Sequence, residues 1–286
     1  MDAAATIAFL IAVIGYTVAS TLFFGALLRK TASSSLRVAR GALFAAGVAH
    51  AGLILWSTFI AQNDPVGSMQ FAVSAAGWVM TAGFLWAEPR YQVQALGALT
   101  GPIALALLVL AQFLSTPAWA PPISRFWLAL HVTANLLGVG LFLLAGVASA
   151  FYLYVERSLK LKNPALLPAG MPALDSLDLL AFRFLIFGYP FLTFGIVTGG
   201  IFFSELGNAG SASLGRAVLG YISWLFLGTV LVWRGALGHR GKKSAFGTLA
   251  GVFCVLLLLA SYLVRSAEDE PAEHATFEKD QGSWSA

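Results

Sequence analysis

Long runs of apolar residues, separated by short polar segments, dominate this sequence. A helix needs about 20 apolar residues to cross the hydrocarbon core of a bilayer, and eight runs approach or exceed that length on a hydropathy scan. The pattern predicts an all-α, polytopic integral membrane bundle of about eight transmembrane helices. We expect the spans at residues 4–28, 41–61, 71–87, 96–114, 126–154, 185–203, 218–233 and 244–264.

Positive charge is distributed unevenly among the segments that join these spans. All but four of the 17 lysine and arginine residues lie in alternate segments, 29–40, 88–95, 155–184 and 234–243. Because lysine and arginine concentrate in cytoplasmic loops, we predict that these four segments are cytoplasmic and that both termini lie outside. The alternation also favours an even number of spans.

The sequence divides into a transmembrane domain, residues 1–265, and an acidic, polar tail, residues 266–286, which we expect to be disordered. Segment 155–184 has turn-forming residues followed by apolar positions at helical spacing. This pattern predicts a short amphipathic helix at the cytoplasmic surface, capped by Asp175 or Ser176. A plain extension of the sixth span into the interface is an equal alternative.

Composition agrees with a chain whose solvent is mostly lipid, since 58% of residues are hydrophobic, 10% are charged and the mean hydropathy is +0.80. A net charge of +4 could indicate nucleic acid binding, but the positive residues lie in the loops that set topology, and we expect no nucleic acid partner. The single cysteine, Cys254, cannot form an intramolecular disulfide, which excludes thiol–disulfide exchange by this chain alone.

Two of the four histidines, His50 and His131, fall inside predicted spans, whereas His239 and His274 lie in polar segments. An imidazole within a bilayer is costly unless it faces protein, water or a ligand, so both are candidate functional residues. Asn135 shares a helix face with His131 because residues four apart are neighbours. The alternative is a neutral imidazole that hydrogen-bonds an adjacent helix.

Haem iron is the metal that such histidines are best suited to bind. Zinc takes four protein ligands, or three and a water, and the spans offer neither cysteine nor carboxylate near either histidine. Haem needs one or two axial ligands in an apolar slot. One haem bound by both histidines, two separate haem positions and a single-histidine site all remain open. The small-residue spacing of Gly195 and Gly199 predicts close helix packing, or a cofactor edge passing over glycine.

Several segments together resemble the CcsA-type cytochrome c assembly proteins, most closely the branch that contains HemX and inner-membrane proteins of the YpjD type. Besides the span that carries His50, the resemblance covers most of residues 41–264. It rests on WAEPRYQVQALGALTGPIALAL, LHVTANLLGVGLFLLAGVASAFYLYVERSLK, PALDSLDLLAFRFLIFGYPFLTFGIVTGGIFF and SWLFLGTVLVWRGALGHRGKKSAFGTLAGVF.

The resemblance implies a role in cytochrome c biogenesis, in which haem crosses the membrane and is presented outside for attachment to apocytochrome c. It implies that His50 matches the intramembrane haem ligand and His131 the outer-side histidine that precedes a tryptophan-rich loop. The implied cofactor is a non-covalent haem b, held between spans two and five. The implied partners are apocytochrome c and a ResB-type protein, and the implied location is the bacterial inner (cytoplasmic) membrane.

The chain departs from the family pattern at the position of that loop. Full CcsA proteins have a WGxxWxWD pattern there, whereas residues 204–217 read SELGNAGSASLGRA. A later histidine is replaced near Val232 and Trp233. The expectation is therefore an assembly factor rather than an enzyme, with ligation activity left open. The alternative is a HemX-like regulatory or scaffold protein linked to haem biosynthesis, without haem transfer.

Overall fold

The computed structural model describes residues 3–28, 33–59, 69–114, 125–161, 171–205, 211–236, 238 and 240–261. Within these residues the chain forms eight α-helices and no strand, which confirms the all-α prediction. A single 3₁₀ turn, Gln94–Leu96, precedes the fourth helix. The helices are α1 Ala3–Leu28, α2 Ser33–Phe59, α3 Met69–Tyr91, α4 Gly97–Ala111, α5 Arg125–Lys160, α6 Leu174–Glu205, α7 Ser211–Gly235 and α8 Lys242–Ser261.

Seven of the described helices are long and apolar enough to cross a membrane, and α3 is the one that does not qualify. The low apolarity of α3 has a clear origin. It carries Ser74, Thr81 and Glu88, all buried within the bundle. It packs against α2, α4 and α5, so its polar residues face protein and need not face lipid.

Helices that are consecutive in the chain run antiparallel, as the contacts between α2 and α3 illustrate. Arg40 near the start of α2 pairs with Glu88 near the end of α3, while His50 further along α2 contacts Ser74 near the start of α3. The α5–α6 pair is also antiparallel. Helices α3 and α5 run parallel, because a Cβ built on Gly83 would contact Leu144 and a Cβ built on Gly140 would contact Val79. Helix α3 therefore runs the length of the bundle like its neighbours.

The basic segments predicted to be cytoplasmic meet at one end of the bundle. Arg40 on α2 binds Glu88 on α3, and Arg183 on α6 donates to the hydroxyl of Tyr91 at the end of α3. The contact between α3 and α5 joins α1–α4 to the helices that follow. The structure thus groups the positive charges as the positive-inside rule predicts.

The separate amphipathic helix predicted in segment 155–184 is wrong, and the alternative of an extended sixth span is correct. Helix α6 begins at Leu174 and continues unbroken to Glu205, so Asp175 and Ser176 lie inside its first turn and do not cap it. Leu177 and Phe184, two of the apolar positions at helical spacing, are buried in the core. Their burial against neighbouring helices stabilises the extension. The predicted tail and the side chains of His239 and His274 lie outside the described residues.

A buried ion pair ties α6 to α7 at the basic end. The Arg234 guanidinium donates from Nη1 and Nη2 to the two carboxylate oxygens of Asp178, at 3.0 and 2.8 Å. Arg234 Nη1 also donates to Ser244 Oγ on α8 at 3.0 Å, and the guanidinium lies 4.4 Å from the Phe182 ring centroid. A bidentate pair of this kind fixes geometry as well as charge, so it holds three helices in register.

Asp178→Ala tests this ion pair, because it leaves the Arg234 charge buried without its partner. Removing one member of a buried pair costs about 3–5 kcal/mol, and we expect a marked fall in the midpoint of thermal aggregation of the detergent-purified protein. The control is Glu156→Ala, which removes the partner of the exposed Lys160 and should cost about 0.5 kcal/mol. Equal midpoints for the two variants would refute the stabilising role of Asp178.

Candidate functional site

His50 lies at the junction of α1, α2 and α3 and is fully buried. Its Nδ1 lies 3.0 Å from the Tyr16 hydroxyl, and its Nε2 lies 2.9 Å from Ser74 Oγ. The Tyr16 hydroxyl lies in turn 3.1 Å from Thr81 Oγ1. Three helices therefore each contribute a polar side chain to one closed cluster, which we call the His50 cluster (Tyr16, His50, Ser74 and Thr81).

The direction of each hydrogen bond in the His50 cluster can be assigned by starting from Thr81. Thr81 donates its hydroxyl proton to the carbonyl of Gly77 at 3.0 Å, so its oxygen accepts from the Tyr16 hydroxyl. The Tyr16 oxygen then accepts from His50 Nδ1–H, and Ser74 donates to the Nε2 lone pair. Every polar group of the cluster is satisfied with a neutral imidazole, as buried polar groups require.

This arrangement does not fit axial ligation of haem by His50. Both ring nitrogens are occupied, and the residue has no exposed surface. Helix α1 lies close to α2 because Gly15 has no side chain: a Cβ there would lie 2.9 Å from the Cβ of Ala46. Iron could reach Nε2 only after Ser74 and its helix moved. As arranged, His50 serves as a hydrogen-bonding junction between helices, and its predicted ligation of haem stays a prediction.

His131 lies between α5 and α6 and is only half-buried. Its Nδ1 lies 2.6 Å from Thr198 Oγ1, and its Nε2 lies 3.2 Å from Asn135 Nδ2. Asn135 also donates to the His131 carbonyl at 2.9 Å. The predicted pairing of His131 with Asn135 on one helix face is present. We call His131, Asn135 and Thr198 the His131 cluster.

The glycines of α6 make room for the His131 cluster. A Cβ on Gly195 would overlap the side chain of Asn135, and a Cβ on Gly199 would lie 3.4 Å from His131 Cε1. The sequence left open whether these glycines serve helix packing or a cofactor edge. In the structure they accommodate the two polar side chains of α5, so the glycine spacing and the histidine belong to one site.

The hydrogen bonds of Thr198 and Asn135 place the lone pair of His131 on Nε2. Thr198 donates its hydroxyl proton to the carbonyl of Phe194 at 2.7 Å, so its oxygen accepts from His131 Nδ1–H. The lone pair then lies on Nε2, where the Asn135 amide makes a long contact. A metal-ligating histidine typically donates its other ring N–H to a fixed partner, as His131 does to Thr198. Iron ligation at Nε2 would require the Asn135 amide to move.

The two histidine clusters share no member, and α3 lies between α2 and α5. Ala75 and Ala76 of α3 pack against Leu136 of α5, with Ile54 of α2 beside them. Among the described residues, no group of three or more histidine, cysteine, aspartate or glutamate side chains could hold a metal ion. The predicted haem position between spans two and five would have to accommodate the intervening helix.

The comparison with known protein families covers almost all of this bundle. The family model described as Cytochrome C assembly protein matches residues 7–269. The chain belongs to the cytochrome c assembly protein family. The match includes every described helix apart from the first residues of α1, so the two histidine clusters lie within the family domain.

Curated relatives of the chain carry the name cytochrome c biogenesis protein CcsA. The chain is 24% identical to the protein from Prochlorococcus marinus subsp. pastoris over 69% of this chain and 71% of the relative. It is 22% identical to that of Synechococcus sp. over 78% and 80%, and 23% identical to that of Trieres chinensis over 68% and 73%. No solved structure matches the chain.

The positions where the sequence departs from the family pattern fall partly outside the described residues. Residues 206–210, the centre of the segment where the tryptophan-rich loop was expected, are not among the described residues. Val232 and Trp233, near which a later histidine was expected, are exposed on α7. Sequence reasoning also missed Tyr16, Ser74, Thr81 and Thr198. A signal was present in the recurrence of hydroxyl side chains within apolar spans.

Tyr16→Phe tests the His50 cluster by removing one hydroxyl while keeping the ring. It leaves the Nδ1–H of His50 without a buried partner and removes the hydrogen bond that Thr81 Oγ1 accepts, which costs about 1–3 kcal/mol. We expect a lower thermal midpoint in detergent. Tyr221→Phe, at an exposed tyrosine of α7, is the control and should leave the midpoint unchanged. A Tyr16→Phe midpoint equal to wild type would mean that the cluster is not closed as described.

Proposed function

We propose that this protein handles haem during cytochrome c biogenesis, within the membrane. The observation that carries the proposal is the family match over residues 7–269, which covers the bundle from α1 to α8. Relatives named for cytochrome c biogenesis align over 71–80% of their own length. The half-buried His131, which lies between α5 and α6, supports the proposal because its Nε2 is unprotonated.

His131 is the ligand we assign to a non-covalent haem b. Nε2 would hold the iron, and Thr198 would keep the ring oriented by accepting a hydrogen bond from Nδ1–H. Haem, when bound, supplies the group that is attached to apocytochrome c. Gly195 and Gly199 keep the adjacent surface of α6 free of side chains, and Asn135 is the residue that must move.

His50 has a different place in this proposal. Its ring hydrogen-bonds side chains of α1 and α3, so ligation of iron by His50 would require the hydrogen bond with Ser74 to break. The sealed ring favours a second candidate function, a HemX-like regulatory or scaffold protein that carries no haem. A closed hydrogen-bonded cluster is what a purely structural histidine would need.

The membrane arrangement we propose has eight crossings, both termini outside and the basic end in the cytoplasm of a bacterial cell. Helix α3 supports the count because it runs antiparallel to α2 and spans the bundle despite its polar residues. Apocytochrome c and a ResB-type protein are the partners we propose on the outer side, where a tryptophan-rich loop contributed by another chain would complete the haem site.

Absorption spectra of the detergent-purified protein test the haem assignment. We expect a Soret band in the oxidised and dithionite-reduced wild type and its loss in His131→Gly, with recovery when free imidazole is added. Thr198→Val should keep the band but shift or broaden it, because the ring loses its orienting partner. Asn135→Ala, which removes only the residue over Nε2, should keep or strengthen it.

The matched control in the same experiment is His50→Ala. A band that survives in His50→Ala and is lost in His131→Gly would support ligation by His131 with His50 as a structural junction. Loss in His50→Ala alone, with an unchanged thermal midpoint, would move the ligand to His50. The absence of a band in wild type, even after growth with a haem precursor, would refute haem carriage and favour the scaffold function.

A further inference from the structure

A groove separate from both histidine clusters lies between α2 and α3 at the basic end of the bundle. It encloses about 640 Å³ and is lined by six residues: Arg37, Arg40, Gly41, Phe44, Leu85 and Trp86. Its location is the membrane–water boundary, because the arginines lie at the end of the bundle that we propose to be cytoplasmic. We call it the arginine groove.

The lining of the arginine groove changes from charged to apolar along the helix axis. Arg37, Arg40 and Phe44 fall on one face of α2 because they are spaced three, four and seven residues apart. The arginines lie nearer the helix start, and Phe44 lies one turn deeper. On α3 the order is reversed, with Trp86 deeper and Arg90 one turn nearer the surface. An amphiphile aligned with the bilayer normal would match this gradient.

Positive charge exceeds negative charge at the mouth of the groove. Arg40 is paired with Glu88, the one carboxylate there among the described residues. The Arg90 guanidinium lies 4.7 Å from the Trp86 ring centroid and donates to the Trp86 carbonyl at 2.8 Å. Arg37 is exposed and makes no hydrogen bond or ion pair with any residue that the structure describes. Two guanidinium charges are thus uncompensated.

The floor of the groove is open as well as apolar. Phe44 and Trp86 are exposed at 62% and 42%, and a Cβ built on Gly41 would meet nothing within 4 Å. Aromatic side chains at this depth are typical of the membrane interface. The lining contains no histidine, cysteine, methionine or tyrosine to bind iron, so its chemistry does not suit haem.

We infer that the arginine groove binds an anionic phospholipid. Its phosphate would bind Arg37, the arginine of the lining that is not paired with a carboxylate, and its acyl chains would follow Phe44 and Leu85 toward the bilayer centre. Basic pockets between transmembrane helices on the cytoplasmic side bind anionic headgroups in this way. The polar-to-apolar order of the lining selects an amphiphile, and the charge excess selects an anionic lipid over a zwitterionic one.

Lipid titration monitored by native mass spectrometry tests the inference on the full-length protein. We expect dioleoylphosphatidylglycerol to bind more tightly than dioleoylphosphatidylcholine. Each arginine near an anionic lipid contributes an amount that corresponds to about fivefold in affinity. Arg37→Gln should therefore weaken phosphatidylglycerol binding about fivefold, and Arg37→Gln/Arg90→Gln further. The control is Lys243→Gln, an exposed cation at the same end of the bundle, which should have no effect.

A second pair of variants tests the shape of the groove without changing its charge. Gly41→Leu should fill the floor and weaken phosphatidylglycerol binding. Gly52→Leu, at an equally open glycine of the same helix, should not. A Cβ at either position would meet no atom within 4 Å, so folding should be preserved.

Three results would overturn the inference. The first is equal affinity for the two lipids in wild type. The second is unchanged phosphatidylglycerol binding in the double arginine variant. The third is displacement of phosphatidylglycerol by millimolar inorganic phosphate or by iron-free protoporphyrin, because the groove would then be a free-anion or porphyrin site.

Discussion

A polar group inside a bilayer must find its hydrogen-bond partners within the protein, because lipid offers none. This constraint determines the arrangement of the first three helices. His50 fixes the approach of α1 and α3 through Tyr16 and Ser74. The polar residues Ser74, Thr81 and Glu88 of α3 are tolerated because they are buried against neighbouring helices.

The helices and the two intramembrane histidines could be predicted from sequence, because apolar runs and isolated imidazoles are visible without a structure. The partners of those histidines could not. Helical periodicity places Asn135 beside His131, but it does not indicate that Thr198 and Gly195, more than 60 positions away in the chain, face them. The unbroken start of α6 was one of two alternatives, because turn residues before Leu174 suggested a separate element, whereas burial of Leu177 and Phe184 favours one continuous helix.

The two histidines differ in what surrounds them more than in their chemistry. His50 is held on both sides by hydroxyl groups from other helices, and its environment is complete. His131 is held firmly on one side by Thr198 and loosely on the other by Asn135, and part of its surface is open. The same residue type thus lies in a fully buried cluster in one place and in a partly exposed one in the other.

The contact between α3 and α5 has a mechanical consequence. Each histidine cluster is complete within its own group of helices, His50 in α1–α3 and His131 in α5–α6, and α3 and α5 lie side by side between them. The separation of the two imidazoles is therefore set by how α3 packs on α5, where Gly83 lies against Leu144 and Gly140 against Val79.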